Sequence, residues 1–147
     1  MEKVGKILEK KKGRKVWSIS PDAIVYRSLE LMSEKEIGAL MVINDKGKVE
    51  GILTERDYAR KVFLKGRSSK ETYVKEIMTS ELFAVNPTSS VEECMALITE
   101  ERIRHLPVMD GDKLVGIISI GDVLKAIIEA QGIMIEHLNN YIMGAYV

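Results

Sequence analysis

The sequence contains few of the residues that mark disulfide-rich, membrane-spanning or strongly charged proteins. Its 147 residues include one cysteine, three prolines and 5% aromatic residues, and 22 basic side chains balance 22 acidic ones. A single cysteine cannot form an internal disulfide, and the zero net charge gives no reason to expect a nucleic-acid or membrane partner. No apolar run is long enough to span a bilayer, and the N-terminus lacks the apolar core of a signal peptide. A globular, cytoplasmic chain is therefore predicted.

Apolar side chains are abundant: 46% of the residues are apolar and 30% are charged. A chain of this length and composition suits one compact domain, or two small halves that share a core. The cysteine, Cys94, falls in a helical apolar pattern with Val91, Met95 and Ile98. This pattern is typical of a buried small hydrophobic residue in a reducing compartment.

Two stretches with the same pattern lie at matching places in the two halves of the chain, Gly51-Ile-Leu-Thr-Glu-Arg-Asp57 and Gly116-Ile-Ile-Ser-Ile-Gly-Asp122. In each, a glycine and a short strand pattern are followed by a hydroxyl residue, two spacers and a carboxylate, and then a helical pattern begins. Leu31 and Leu97 are 66 residues apart, whereas the two aspartates are 65 apart, so one residue has been lost in a hairpin. We infer an internal duplication.

Each half has the predicted order strand, helix, strand, strand, helix, which makes the fold class α+β. The first half has predicted strands at 16–19, 39–43 and 49–53, and helices at 24–35 and from 54 to about 65. The second half has predicted strands at 83–85, 106–109 and 114–118, and helices after Ser90 and at 123–130. The predicted domains are residues 1–66 as the first repeat with an N-terminal helix, 67–130 as the second repeat with its linker, and 131–147 as a C-terminal helical extension.

The two ends of the chain add helical segments. An amphipathic helix is predicted over residues 4–8, ending near Gly13, and the basic cluster of residues 10–15 is interpreted as a solvated helix end rather than a phosphate site. At the other end, Ile135, Leu138, Tyr141 and Ile142 fall on one helical face. This face either packs on its own module or covers a second subunit, and both alternatives stay open.

A hydroxyl and a carboxylate at the start of a helix permit two interpretations. They can form a capping box that satisfies free amides of the first turn. They can also form a ligand site, in which the amides favour an anion and the carboxylate accepts ribose hydroxyls, a combination that suits a ribonucleotide. Two copies in register leave the two interpretations evenly balanced.

Complementary charge comes from Arg104 and His105, which precede the strand that contains Pro107. Because proline disrupts ordinary central pairing, these two side chains are predicted to lie at a cleft between the halves. The equivalent first-half positions, Gly38 and Ala39, are small and uncharged. A lone histidine is usually structural, but one beside an arginine at a repeat interface is predicted to contact the ligand.

Catalysis finds little support in the sequence. One cysteine and two distant histidines do not have metal-ligand spacing, so no metal site is predicted. Ser119, His105 and Asp110 include the residue types of a hydrolase triad, but no nucleophile elbow surrounds the serine. No phosphate loop of the Walker type occurs either. The chain is therefore predicted not to be an enzyme.

The motifs resemble those of the CBS domain family, named after cystathionine β-synthase, in its tandem arrangement. The similarity covers roughly residues 1–130, and its strongest marks are the two Gly-x-x-[Ser/Thr]-x-x-Asp ends and the run Arg104-His-Leu-Pro-Val108. It implies two β-α-β-β-α repeats packed as one pseudo-two-fold module with two clefts. Such modules bind adenosyl ligands such as AMP, ATP, NAD or S-adenosylmethionine, form homodimers and regulate another protein in signal transduction. The alternative is a dimeric interaction scaffold with vestigial clefts.

The resemblance also implies a role for individual residues. Asp57 and Asp122 would hold ribose hydroxyls, with Thr54, Arg56, Ser119 and Gly121 near the phosphates and adenine against the backbone of the opposite repeat. The first implied cleft consists of Thr54, Arg56, Asp57, Val85, Asn86, Val91, Ile103, Arg104 and His105. The second implied cleft consists of Ile19, Ser20, Val25, Ile37, Gly38, Arg104, His105, Ser119, Gly121 and Asp122.

Overall fold

The computed structural model describes residues 2–11 and 15–145, and gives the backbone alone for residues 141 and 143–145. In these ranges no helix has both the length and the apolar character needed to cross a membrane. In chain order the elements are α1 (Val4–Lys10), β1 (Ser18–Ile19), α2 (Val25–Lys35), β2 (Ala39–Ile43), β3 (Val49–Thr54), α3 (Glu55–Tyr58) with a π-helical turn (Ala59–Phe63), α4 (Val74–Ile77), α5 (Val91–Glu101), β4 (His105–Asp110), β5 (Lys113–Ser119) and α6 (Ile120–Ala145).

The chain forms two compact units, a first-repeat unit (Lys15–Leu82) and a second-repeat unit (Met1–Arg14 with Phe83–Val147). The first-repeat unit contains a three-stranded sheet in the order β1-β2-β3, in which β1 is parallel and β3 antiparallel to β2. Its apolar core is formed by Val25, Val42, Leu53, Val62, Val74 and Ile77. The predicted strands and helices of this half are confirmed with two differences: β1 covers only the last two residues of the strand predicted at 16–19, and the last helix widens into a π turn after α3.

The second-repeat unit contains a two-stranded antiparallel sheet, formed by the hairpin of β4 and β5. Its core includes Cys94, which is buried as predicted; burial, with Glu93 as a lesser cause, raises the pKa of the thiol to about 11. The long helices α2 and α5 end alike, because Glu36 and Arg102, which are 66 residues apart, both adopt the left-handed conformation at φ 54°. The duplication inferred from the sequence is therefore visible in the backbone.

The predicted strand at 83–85 is wrong, because the structure has only an isolated parallel bridge between Val85 and Val108. The first repeat explains why. There, the main-chain N–H of Met41 donates to the carbonyl oxygen of Trp17 at 3.2 Å and extends the pairing of β1. The position equivalent to Met41 is Pro107, which has no N–H, so the second repeat lacks the donor for the same bond.

Each repeat packs with the short helical segment that precedes the other repeat. In α1, the N–H of Val4 donates to Ser89 at 2.9 Å, and in α4 the equivalent N–H of Val74 donates to Ala23 at 2.8 Å. The segment before the first repeat therefore belongs to the second-repeat unit, and the segment before the second repeat belongs to the first-repeat unit. The domains predicted from the sequence at 1–66, 67–130 and 131–147 follow the duplication and stay a prediction. The contacts instead place residues 1–14 with the second repeat and residues 67–82 with the first.

The predicted final helix and C-terminal extension form one continuous helix, α6. Gly132 lies inside it, which a helix tolerates at a cost of about 1 kcal/mol. The side chains of Ile135, Leu138 and Ile142 are exposed, so their face does not pack on the unit that carries it. The side chain of Tyr141, and the predicted helix end at Gly13, lie outside the described residues.

Candidate functional site

The first motif forms a complete capping box at the junction of β3 and α3. The Asp57 N–H donates to Thr54 Oγ1 at 3.1 Å, and the Thr54 N–H donates to Asp57 Oδ2 at 3.0 Å. The Thr54 hydroxyl also donates to Oδ2, at 3.2 Å. The other carboxylate oxygen, Oδ1, accepts from the Thr79 hydroxyl at 3.2 Å and pairs with Lys61 Nζ at 3.2 Å. Asp57 is therefore tightly integrated into its unit.

The second motif has the same cap at the junction of β5 and α6. The Asp122 N–H donates to Ser119 Oγ at 3.1 Å, and the Ser119 N–H donates to Asp122 Oδ2 at 2.8 Å. The ammonium of Lys11 donates to the same Oδ2 and to the Ile117 carbonyl oxygen, both at 2.8 Å. Burial favours a raised pKa for the Asp122 carboxyl, but the bonds from Lys11 and Ser119 outweigh it and hold the pKa below its usual value.

The two motif carboxylates differ in how many hydrogen bonds their oxygens already accept. A carboxylate can accept about four hydrogen bonds, and Asp57 receives four contacts, two at each oxygen. The bonds from Lys11 and from the Ser119 N–H fall on Oδ2, and the Ser119 hydroxyl also interacts with the carboxylate; within residues 2–11 and 15–145 no donor lies within 3.5 Å of Oδ1. The Asp122 side chain is also more exposed, at 18% against 11% for Asp57. Asp122 is therefore the carboxylate that is able to accept a further hydroxyl.

Arg104 and His105 lie beside the second motif. His105 pairs with Ser119 in the β4–β5 ladder, and the Arg104 carbonyl oxygen accepts the N–H of Ile120 at 2.8 Å. Burial lowers the pKa of His105; Asp122 opposes this shift, while Lys11 and Arg104 add to it. The imidazole is therefore biased toward its neutral form. Lys11 is the cation that contacts Asp122, whereas the charge of the exposed Arg104 side chain acts on the neighbouring His105 imidazole.

The motif glycines are required because the segments that precede the two repeats, which we call the lead-in segments (α1 through Lys11, and α4 through Thr79), approach the hairpins closely. A Cβ on Gly51 would lie 2.6 Å from the main-chain oxygen of Thr79, which itself bonds the N–H of Ile52 at 3.0 Å. A Cβ on Gly116 would lie 2.6 Å from a side-chain methyl of Leu8 in α1. The glycines therefore allow the segments that carry Thr79 and Lys11 to lie against the two hairpins.

Comparison with known proteins identifies the repeats. The sequence profile of the CBS domain matches residues 8–63 and 74–129, which together cover most of the chain. The chain belongs to the CBS domain family. The predicted resemblance is thereby confirmed, as is the α+β fold class with two CBS repeats.

Individual CBS proteins extend the comparison. The mitochondrial CBS domain-containing protein CBSX3 of Arabidopsis thaliana is 41% identical over 138 residues, which are 91% of this chain and 66% of that protein. A solved structure from Burkholderia ambifaria MC40-6, named for a signal-transduction role with CBS domains, is 52% identical with a TM-score of 0.84 and covers 88% of this chain and 96% of that one. The CBS domain pair of MJ0100, solved with 5′-methylthioadenosine and S-adenosylmethionine, is 20% identical with a TM-score of 0.75, over 86% of this chain and 96% of that one, and shares the fold.

The remaining predicted cleft residues of the two CBS repeats have mixed environments. Val25 and Val91 are fully buried in the cores of their units, and their N–H groups donate to Thr72 and Glu2. The Asn86 side chain is bonded to Thr88. Val85 is buried; Ile19, Ile37, Gly38, Ile103 and Arg56 are half-buried; Ser20 and Gly121 are exposed. Each implied cleft combines residues of both units, and that grouping stays a prediction.

Among the residues that the structure describes, three that contact the motif aspartates are not predicted from the sequence. Lys61 lies four residues after Asp57 on the same helix, a spacing that could have indicated an ion pair. Lys11 and Thr79 come from lead-in segments, and no local pattern marks them. The basic cluster at residues 10–15 was interpreted as a solvated helix end, but Lys11 pairs with Asp122 instead; residues 12–14 lie outside the described part of the chain.

Proposed function

We propose that this CBS pair is a regulatory module that binds an adenosyl ligand at the second motif, rather than an enzyme. The observation that carries the proposal is Oδ1 of Asp122, which no donor from residues 2–11 and 15–145 reaches, on a carboxylate held by a capping box and paired with Lys11. A carboxylate oxygen at the mouth of a helix can accept a ribose hydroxyl in a charge-assisted hydrogen bond. Lys11, and Arg104 next to His105, would then attract the phosphate or other anionic part of the ligand.

The role of each residue follows from its position in the second-repeat unit. Asp122 accepts ribose hydroxyls through Oδ1, while Lys11 keeps the carboxylate charged and oriented through Oδ2. Arg104 binds a phosphate by charge. His105 contributes most when it is protonated, which a bound phosphate favours although burial opposes it. The exposed Gly121 leaves room for the ligand next to the first turn of α6.

The first motif is proposed as the weaker of the two sites. Asp57 already receives four contacts, so a ribose would have to displace one of them. The first implied cleft takes Arg104 and His105 from the second-repeat unit, whereas the equivalent positions of the first-repeat unit, Gly38 and Ala39, carry no charge. Structural capping is therefore the main role that we assign to Asp57.

The choice of ligands rests on the CBS family. MJ0100, whose CBS pair shares this fold, is solved with S-adenosylmethionine and 5′-methylthioadenosine, and the resemblance implies AMP, ATP and NAD as well. All of these ligands carry the ribose that Asp122 would recognise. We further propose a cytoplasmic homodimer that regulates a separate protein in signal transduction, since α6 exposes an apolar face.

Isothermal calorimetry with AMP, ATP, NAD and S-adenosylmethionine tests the proposal. At least one of them is expected to bind, and Asp122→Ala is expected to weaken it by about 1.5 to 3 kcal/mol, the range for a hydrogen bond to a charged group. Asp57→Ala is the matched control and should have a smaller effect on affinity. If none of the four binds at millimolar concentration, the proposal is wrong and the dimeric scaffold becomes the better interpretation.

A further inference from the structure

Helix α6 carries two different apolar faces. Val123 and Ala126 are buried in the core of the second-repeat unit, and beyond Ala126 no residue of the helix whose side chain the structure describes is buried. A second set of large apolar side chains stays exposed from Leu124 onward, with exposed fractions of 44% at Leu124, 65% at Ile128 and 59% at Ile135. Packing within the unit therefore does not account for the second face.

The exposed residues follow a heptad repeat. Leu124, Ile128, Gln131, Ile135, Leu138 and Ile142 succeed one another at alternating spacings of four and three residues. At 100° per residue they fall within an arc of about 80°, and the buried Val123 and Ala126 lie on average roughly 130° away from its centre. We call these six residues the α6 seam. An apolar repeat every 3.5 residues is the pattern of a left-handed coiled coil.

We propose that the α6 seam pairs with the same seam of a second copy of this chain, as a parallel two-stranded coiled coil. The residue types in the α6 seam favour pairing of two parallel helices. Isoleucine occupies each a position (Ile128, Ile135, Ile142) and leucine two of the three d positions (Leu124, Leu138), a combination that favours parallel dimers. The α6 seam is thus the proposed interface of the homodimer, and this pairing does not depend on the nucleotide-binding proposal.

The residues beside the seam also fit a second copy. From residue 126 onward the e and g positions carry no charge; they are Ile127, Gly132, Met134, Asn139 and Tyr141. Like charges therefore do not oppose pairing of identical helices. The remaining d position, Gln131, fixes the direction. In a parallel pair its amide faces the same amide of the partner and can bond to it, whereas an antiparallel pair leaves it against apolar side chains.

Disulfide trapping tests the pairing and its direction. In Leu138→Cys the two introduced thiols would face each other across the seam, within the 4.4 to about 6.8 Å between Cα atoms that a disulfide spans. Ile133→Cys is the matched control, because Ile133 is equally exposed, at 56%, but lies on the opposite face of the helix. Cys94 is buried in the native chain and is therefore not expected to cross-link in either variant. Oxidation at micromolar protein should cross-link Leu138→Cys and leave Ile133→Cys monomeric on a denaturing gel; equal cross-linking, or none at residue 138, overturns the proposal.

Lysine variants measure the contribution of the seam. Ile135→Lys combined with Leu138→Lys should raise the dimer dissociation constant by about a hundredfold or more, since each buried apolar side chain contributes at least a factor of about ten. Ile133→Lys should leave it unchanged. Sedimentation equilibrium gives the mass relative to the 16.5 kDa chain, and circular dichroism verifies that the variants stay folded. A wild-type monomer at micromolar concentration, or a double variant that associates like wild type, contradicts the seam without affecting the nucleotide proposal.

Discussion

The two motif aspartates are expected to differ in their contribution to stability. In Asp57→Ala, the Thr54 N–H, the Thr54 hydroxyl and the Thr79 hydroxyl all lose an acceptor in a nearly buried site. A hydrogen bond to a charged group contributes about 1.5 to 3 kcal/mol, but bonds that share one carboxylate are not additive. The ion pair with Lys61 adds little, because that side chain is 44% exposed. We therefore expect a loss of roughly 2 to 4 kcal/mol in the free energy of unfolding.

In Asp122→Ala, fewer bonds are lost. The Ser119 N–H loses its acceptor, and Lys11 loses its carboxylate but keeps the Ile117 carbonyl oxygen as a partner. The expected cost is about 1 to 2 kcal/mol. The Ser119 hydroxyl remains to cap the helix in this variant.

Urea denaturation with two probes measures this difference. The fluorescence of Trp17, the single tryptophan, reports on the first-repeat unit that contains Asp57, while far-ultraviolet circular dichroism reports on both units. Asp57→Ala should shift the fluorescence midpoint to lower urea by more than Asp122→Ala shifts either signal. The assignment of Asp57 to structural capping is refuted if Asp122→Ala is the more destabilising of the two.

Three further predictions follow from the same contacts. Gly51→Ala should lower the free energy of unfolding, measured by urea denaturation, by about 1 to 3 kcal/mol, because the added Cβ meets a main-chain oxygen. Gly116→Ala should cost less, because its Cβ meets a leucine side chain that can move; equal costs would contradict this difference. The free energy of unfolding should fall as pH drops below about 6.5, because burial lowers the pKa of His105 in the folded chain and the unfolded chain therefore binds the proton more readily. If the dependence of this free energy on pH is unchanged in His105→Asn, His105 is not its cause. If NAD binds, its affinity should fall as pH rises from about 6 to about 8, because the phosphates favour the protonated imidazole, and calorimetry should find this slope abolished in His105→Asn.

Local patterns in the sequence predicted most of the fold. The alternation of apolar residues with turn signals identified four of the six predicted strands closely and β1 in part, because each pattern is complete within a few residues. The strand at 83–85 could not be excluded in this way, since its loss depends on the missing N–H of Pro107 in another element. The capping interaction of each motif was likewise readable from four consecutive residues.

The distinction between the two motifs could not be predicted, because it depends on contacts between distant segments. Lys11 reaches Asp122 across 111 positions, and Thr79 reaches Asp57 across 22. One lysine among 22 basic residues carries no signal of its partner. Only the packing of the lead-in segments shows that one carboxylate receives contacts at both oxygens, while donors from residues 2–11 and 15–145 reach only one oxygen of the other.

A double-mutant comparison with a modified ligand tests the central claim, that Asp122 recognises a ribose. The affinity of the adenosyl ligand that binds best is compared with that of its 2′-deoxy analogue, in wild type, Asp122→Ala and Asp57→Ala. We predict that loss of the 2′-hydroxyl weakens binding by about tenfold or more in wild type and Asp57→Ala, and has almost no effect in Asp122→Ala, because the interaction is already absent there. An unchanged penalty for the deoxy analogue in Asp122→Ala would contradict the claim.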